Sequence, residues 1–288
     1  MRKRNGFSLI ELLIALAILG IVITTVYSVF DSQQKVYTIQ DQTLAMEQNL
    51  KACLALIARE ARYAGLNVKL KEDGRLDSNF VAMIPDSFKP TSPMVVTLSD
   101  TDYPLKITEG HDRSPDMMTI VSSICDETNP SAVDINGGIS PGETCVTIRT
   151  FPHKIQVGDI VYIGNPGIYE YAIVKKVSRK TLTIDTDPER GGNQGIQNYY
   201  PEGTEIGEIS IVTYAIDRDT FPWVLKRKAN KGYFQPVGEH IMDLQVTQNG
   251  KKTMITLEAQ TEKKDPYYSK NNGYRRARYA SIVISQNM

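Results

Sequence analysis

Glu11 is the residue whose type and position first demand a chemical explanation. Residues 7–30 read FSLIELLIALAILGIVITTVYSVF, and Glu11 is the one charged group among them. A carboxylate deep in an apolar helix costs about 3 kcal/mol in a bilayer, so such a group marks function and calls for a cationic partner. Elsewhere the chain is sparse in reactive constellations. Its 3 histidines, His111, His153 and His240, are scattered with no metal-ligand spacing among them, and its 3 cysteines form no CxxC pair. Neither a P-loop nor a G-x-S-x-G elbow is present. No catalytic set, metal or cofactor is therefore expected.

Three weaker patterns have plain readings. Asp185, Asp187 and Glu189 resemble the opening of a calcium loop, but Arg190 and Ile196 occupy the glycine and glutamate positions of an EF-hand, so a solvated acidic turn is expected. Gly191, Gly192 and Gly195 follow a strand candidate, with no helix pattern after them to complete a phosphate cradle. Residues 263–279 interleave Lys263, Lys264, Lys270, Arg275, Arg276 and Arg278 with Tyr267, Tyr268, Tyr274 and Tyr279. Such interleaving can grip single-stranded nucleic acid or an acidic glycan. The favoured reading is an exposed loop between the last two strands. With 33 cations against 33 anions, the chain as a whole has no bias toward a polyanion, and nucleic acid is not an expected partner.

The element that must position Glu11 is a helix. At about 1.5 Å per residue, residues 7–30 reach about 36 Å, enough to cross a hydrocarbon core with some tilt. Arg2, Lys3 and Arg4 precede them, a bias that holds the N-terminus in the cytoplasm. A secretory signal would have a shorter apolar core and a small-residue cleavage site, whereas Val26-Tyr27-Ser28-Val29-Phe30 follows here. A plain signal anchor accounts for the length and the charge bias but leaves Glu11 unexplained.

The N-terminal run Arg2-Lys3-Arg4-Asn5-Gly6, followed by FSLIELLIALAILGI, resembles a type IV prepilin leader and the first helix of a pilin. The resemblance implies cleavage by prepilin peptidase between Gly6 and Phe7, and methylation of the new N-terminus at Phe7. Glu11 matches the family's glutamate at the fifth mature position. The ammonium at Phe7 would lie four residues before Glu11 on one helix face, and it can neutralise that carboxylate within the chain or across to a neighbouring subunit.

Residues 31–66 continue the helix in amphipathic form. Val36, Ile39, Thr43, Met46, Leu50, Cys53, Ile57, Ala61 and Ala64 are spaced three and four apart, opposite a glutamine-rich face. This stripe is read as a contact with a sheet, the alternative being a coiled coil. Arg59, Arg62 and Gly65 mark the helix end. Arg62-Tyr63-Ala64-Gly65 is similar to the helix end of PilW-family minor pilins.

From residue 67 the chain reads as a β-rich body. Strand candidates fall at 94–99, 117–124, 145–151, 160–164, 169–177, 181–185 and 205–216, separated by Pro- and Gly-rich breakers. Residues 157–184 read as a three-strand meander, and a small β subdomain is expected at about 151–190, the alternative being further strands of one sheet. Near the C-terminus, alternation at Leu244, Val246 and Gln248 leads to Asn249-Gly250, a hairpin signal, and back through Ile255, Leu257 and Ala259. Ala280, Ile282 and Ile284 share one face of a closing strand. The order Tyr214-Ala215-Ile216-Asp217, Leu225-Lys226-Arg227, 237–246, hairpin and last strand is again similar to PilW-type pilins. Those end near an Arg-Asn pair, whereas this chain ends Ser285-Gln286-Asn287-Met288.

Cys53 lies on the helix stripe and is expected as a buried free thiol. Cys125 and Cys145 flank a polar loop, and in an exported domain a disulfide between them is expected to contribute about 3 kcal/mol. Two separate thiols, or a pairing with Cys53, are the alternatives.

The expected fold is thus α+β and type IV pilin-like. A leader at 1–6 precedes a transmembrane helix at 7–30, an amphipathic half at 31–66, and an antiparallel β body at 67–288. The expected function is that of a minor pilin of the type IV pilus, in the tip or initiation complex. The alternatives are a minor pseudopilin of a type II secretion system, or a pilus-tip adhesin or DNA-binding subunit. Expected partners are prepilin peptidase, other pilins through their N-terminal helices, and the cytoplasmic membrane, with the body outside it.

Overall fold

The computed structural model describes residues 9–84, 97–110, 115–123, 133–149, 155–165, 168–219, 221–285 and 287. Helix α1, Leu9–Arg62, runs unbroken for 54 residues. After Gly20 neither glycine nor proline interrupts it before Gly65, so nothing kinks the hydrogen-bond ladder. It stops where Gly65 takes a φ of +80°, a left-handed conformation that a β-carbon disfavours. The helix end is then tied down twice. Gly65 N–H donates to Val121 O at 2.9 Å, and Ser285 Oγ near the C-terminus donates to Ala64 O at 3.1 Å.

The two halves of α1 have different surroundings. Every residue from 9 to 38 is exposed, and this half is long and apolar enough to cross a membrane. The buried stripe is Met46, Leu50, Cys53, Leu54, Ile57, Ala58 and Ala61. It therefore begins later than the periodicity predicts. Val36 remains 45% exposed because the sheet beneath the helix does not extend that far.

The β body forms two sheets. The small one is antiparallel and contains β11 (Ile241–Asn249), β12 (Lys252–Gln260) and β13 (Arg276–Ile284), in that order. The large one is organised around β8 (Glu205–Asp217). Its first half pairs with β5 (Ile160–Asn165) and with the two-residue β3 (Val133–Asp134). Its second half lies between β2 (Met117–Ser123) and β9 (Val224–Ala229). β1 (Leu105–Thr108) extends the sheet beyond β2, and β10 (Gln235–Glu239) extends it beyond β9. On the other side β5 continues into β6 (Ile168–Ser178), β7 (Thr181–Asp185) and β4 (Cys145–Thr147).

Three apolar clusters follow from this plan. One lies between α1 and both sheets, with Leu50, Ile57, Met118, Tyr214, Leu244 and Leu257 fully or almost fully buried. A second lies within the meander and its neighbours, drawing on residues from Ile135 to Ile206 and including Val161, Val174 and Ile184. The third joins them beneath the short helix α2 (Ser78–Ala82), where Phe80 packs edge-on against Tyr171 at 5.1 Å.

Several sequence expectations need correction. The strand read through 237–246 is broken at His240, whose φ of +59° lets the chain leave the large sheet at β10 and enter the small one at β11. The hairpin turn sits one residue later than Asn249-Gly250 suggests. Asn249 pairs with Lys252, and Gly250, φ +57°, takes the first turn position, the glycine position of a II′ turn. Ala280, Ile282 and Ile284 do share a face, but it is the outer one, with Ile282 67% exposed. Ala277, Tyr279 and Val283 face the core instead. Residues 97–99 are not in a strand, and residues 94–96 lie outside the described residues.

Candidate functional site: the anchor helix and its seat

Glu11 stands in the first turn of α1 on a fully exposed stretch. Gly6 and Phe7, the two residues of the expected processing site, lie outside the described residues.

At the other end, a polar clasp locks α1 to the sheet. Glu60 sits between the buried Ile57 and Ala61, and its carboxylate is held by two residues of the large sheet. Arg227 on β9 donates to Glu60 Oε1 through Nη2 at 2.8 Å and through Nε at 3.2 Å. Tyr214 on β8 donates its hydroxyl to Glu60 Oε2 at 2.6 Å. The two strands place these side chains next to each other, because Tyr214 pairs with Arg227 in register. Burial, then the Glu60 carboxylate, drives the Tyr214 hydroxyl well above its ordinary pKa, keeping it a donor. Burial disfavours the Arg227 charge, but the hydrogen bond and attraction from Glu60 outweigh it and raise its pKa.

Further contacts flank the buried stripe on both sides. Tyr279 on β13 donates to Glu47 Oε2 at 3.0 Å, and Lys51 bonds the same oxygen at 3.3 Å while lying over the Tyr279 ring. Asn49 Nδ2 donates to Glu239 O at 2.8 Å. Cys53 is a free, buried thiol whose pKa is pushed up to about 11 by burial, so it stays protonated. Opposite it, a β-carbon on Gly238 would come within 2.3 Å of Cys53 Sγ, so the close approach of β10 to the helix requires glycine.

The remaining sequence candidates resolve one by one. Cys145 is exposed, with Sγ 3.9 Å from Thr183 Oγ1 and no disulfide partner among the described residues, while Cys125 lies outside them. Asp185 is buried and occupied: it accepts from the Asp187 and Gln194 N–H groups at 3.2 and 2.9 Å and pairs with Lys175 at 3.2 Å. That carboxylate fastens its own loop. In the basic tyrosine-rich stretch, buried Asp265 takes Arg275 at 2.8 and 2.9 Å, Arg275 lies over Tyr268, and Arg276 pairs with Glu258. Arg275 thus holds the loop together, whereas Arg276 and Arg278 belong to β13 and Arg276 pairs across to β12. His111 and His153 lie outside the described residues. Sequence reasoning did not find Glu60, Tyr214 and Arg227 as a unit.

The residues before Leu9 are covered by a family comparison. Residues 1–27 match the family described as the prokaryotic N-terminal methylation motif. This chain carries a prepilin-type N-terminus. That motif supports a type IV pilin or pseudopilin, and it implies processing by a prepilin peptidase and assembly with other pilins. Together with the apolar half of α1 it supports anchoring in the inner membrane. The long helix and antiparallel sheets form the α+β arrangement of a pilin-like fold. No curated protein matches the sequence. Among solved structures, the chain is similar to the phage phi92 endosialidase at 14% identity, over 59% of this chain and 33% of that one, with a TM-score of 0.21. The chain thus spans about a third of that protein, and at this score neither fold nor function follows.

Proposed function

We propose that this protein is a minor pilin of the type IV pilus, of the PilW type, acting in the tip or initiation complex. The observation that carries the reading is the joining of a methylation motif at residues 1–27 to one continuous helix, seated on a β body of thirteen described strands. Prepilin peptidase cuts after Gly6, Phe7 becomes the methylated N-terminus, and residues 7–30 hold the chain in the cytoplasmic membrane until assembly. The β body lies on the periplasmic side and travels with the fibre. The role is recognition and assembly, without turnover. Apolar packing between anchor helices drives insertion into the fibre. Glu11 makes that packing unfavourable until a cationic N-terminus, its own or a neighbour's, stands beside it.

The test is Glu11→Ala as the sole copy in cells. The variant is expected to reach the membrane and be cleaved, with methyl-Phe7 read by N-terminal mass, but to be depleted from sheared fibres. Normal incorporation of the variant would remove the pairing role. Retained Met1 in the wild-type protein would remove the processing scheme with it.

A further inference from the structure

A polar cleft of about 450 Å³ opens between α2, β6 and the loop at 186–198. Its walls come from three distant segments, and each wall is fixed by its own hydrogen bonds. Asp77 caps α2 by accepting from Asn79 N–H at 2.9 Å. Glu170 accepts from Gln197 N–H at 2.9 Å and also from Asn198 Nδ2. Thr186 Oγ1 donates to Gly195 O at 2.8 Å, and the Tyr169 hydroxyl donates to Asn67 Oδ1 at 2.9 Å. The frame is therefore satisfied internally and preorganised.

What the frame leaves over is a set of side-chain ends on the cleft wall. The amides of Asn79 and Gln197 and the Lys69 ammonium line it and make no hydrogen bond to the described residues. Asp187 and Glu189 supply acceptors beside them, and half-buried Tyr169 supplies an aromatic ring. Planar amides donate and accept side by side, which suits vicinal hydroxyls, while an aromatic ring suits the C–H face of a pyranose. The volume is in the range of small-ligand sites, yet the lining is far more polar than the usual apolar pocket. Four lining carboxylates, Asp77, Glu170, Asp187 and Glu189, stand against Lys69 and against Arg190, whose Nε lies 3.9 Å from Asp187, so the cleft stays net acidic and disfavours acidic sugars and phosphates. We propose that this cleft binds a neutral or amino sugar, with Asn79 and Gln197 as its principal hydrogen-bonding side chains. The site is independent of the anchor helix and of the assembly role.

The test uses the full mature chain in nanodiscs, free of sugar detergents. Glucosamine, N-acetylglucosamine and glucuronate are titrated by calorimetry and by saturation-transfer NMR. Glucosamine and N-acetylglucosamine are expected to bind, and glucuronate to bind at least about tenfold more weakly. The double variant Asn79→Ala/Gln197→Ala changes two exposed side chains, so the thermal transition should be unchanged while affinity falls by about tenfold or more. Absence of binding by both favoured sugars would overturn the proposal, as would equal affinity for glucuronate or unchanged binding by the double variant. Tighter capture of N-acetyl-lysine amide than of either sugar would also overturn it, making the cleft a seat for a partner's cationic side chain.

Discussion

Replacing Glu60 by alanine is the sharpest test of how α1 is seated. The substitution removes the acceptor of four hydrogen bonds, three from Arg227, whose Nε is shared between both carboxylate oxygens, and one from Tyr214. A hydrogen bond to a charged group contributes about 1.5–3 kcal/mol, and stranding a buried charge costs about 3–5 kcal/mol. Neither figure applies in full. The Arg227 side chain is 30% exposed and can recover water, so the loss from that arm is nearer the lower bound. Tyr214 is fully buried, and its hydroxyl loses its acceptor without access to solvent. The two arms together give an expected destabilisation of about 3 kcal/mol. The single tryptophan, Trp223, borders β9 and packs against the core under the helix, so its fluorescence reports the transition in urea. Tyr214→Phe alone should cost about 1 kcal/mol, and in the double variant the losses should fall short of additive, since both remove one shared bond. A loss below about 0.5 kcal/mol for Glu60→Ala, the range of an ordinary surface change, would refute the clasp.

Two further perturbations probe the β body. Gly207 pairs with Tyr162, whose ring lies across it, and an added β-carbon would come within 2.6 Å of that ring; Gly207→Ala should therefore cost about 2 kcal/mol in urea unfolding, and the additional change Tyr162→Leu should recover part of it. For the proposed Cys125–Cys145 bridge, thiol titration of protein from membranes under denaturing, non-reducing conditions should find one free thiol, that of Cys53, whereas three would end the proposal.

The sequence made some of this architecture legible because the patterns were local. The spacing of Met46, Leu50, Cys53, Ile57 and Ala61 reports a buried helix face directly, and the alternation in β11 and β12 reports a half-buried sheet. In β13 the same period-2 rule offered two apolar faces, Ala280-Ile282-Ile284 and Ala277-Tyr279-Val283. Alternation cannot choose between them. The helix chooses, because small Ala277 and the reach of Tyr279 to Glu47 suit the side it covers. Pro236 and Gly238 hid β10, and β3 is too short to show a pattern. The clasp had no local signal at all, since Glu60 is separated from Tyr214 by 154 positions and from Arg227 by 167.

A division of labour along one helix follows from these contacts. The seat begins at Met46, whereas residues 9–38 are exposed throughout. The groups that hold the body together and the groups available to neighbouring helices therefore share no side chain. Perturbations at the two ends should act separately: Glu11→Ala should spare the unfolding transition of the body, and Glu60→Ala should spare insertion and cleavage. The ends remain mechanically joined, because no glycine or proline lies between Gly20 and Gly65 to form a hinge. Once the anchor packs into a fibre, the orientation of the β body is set by the clasp at Glu60 and by the capping of the helix end through Ser285. Loosening that clasp would leave a subunit that inserts but presents its body in the wrong orientation.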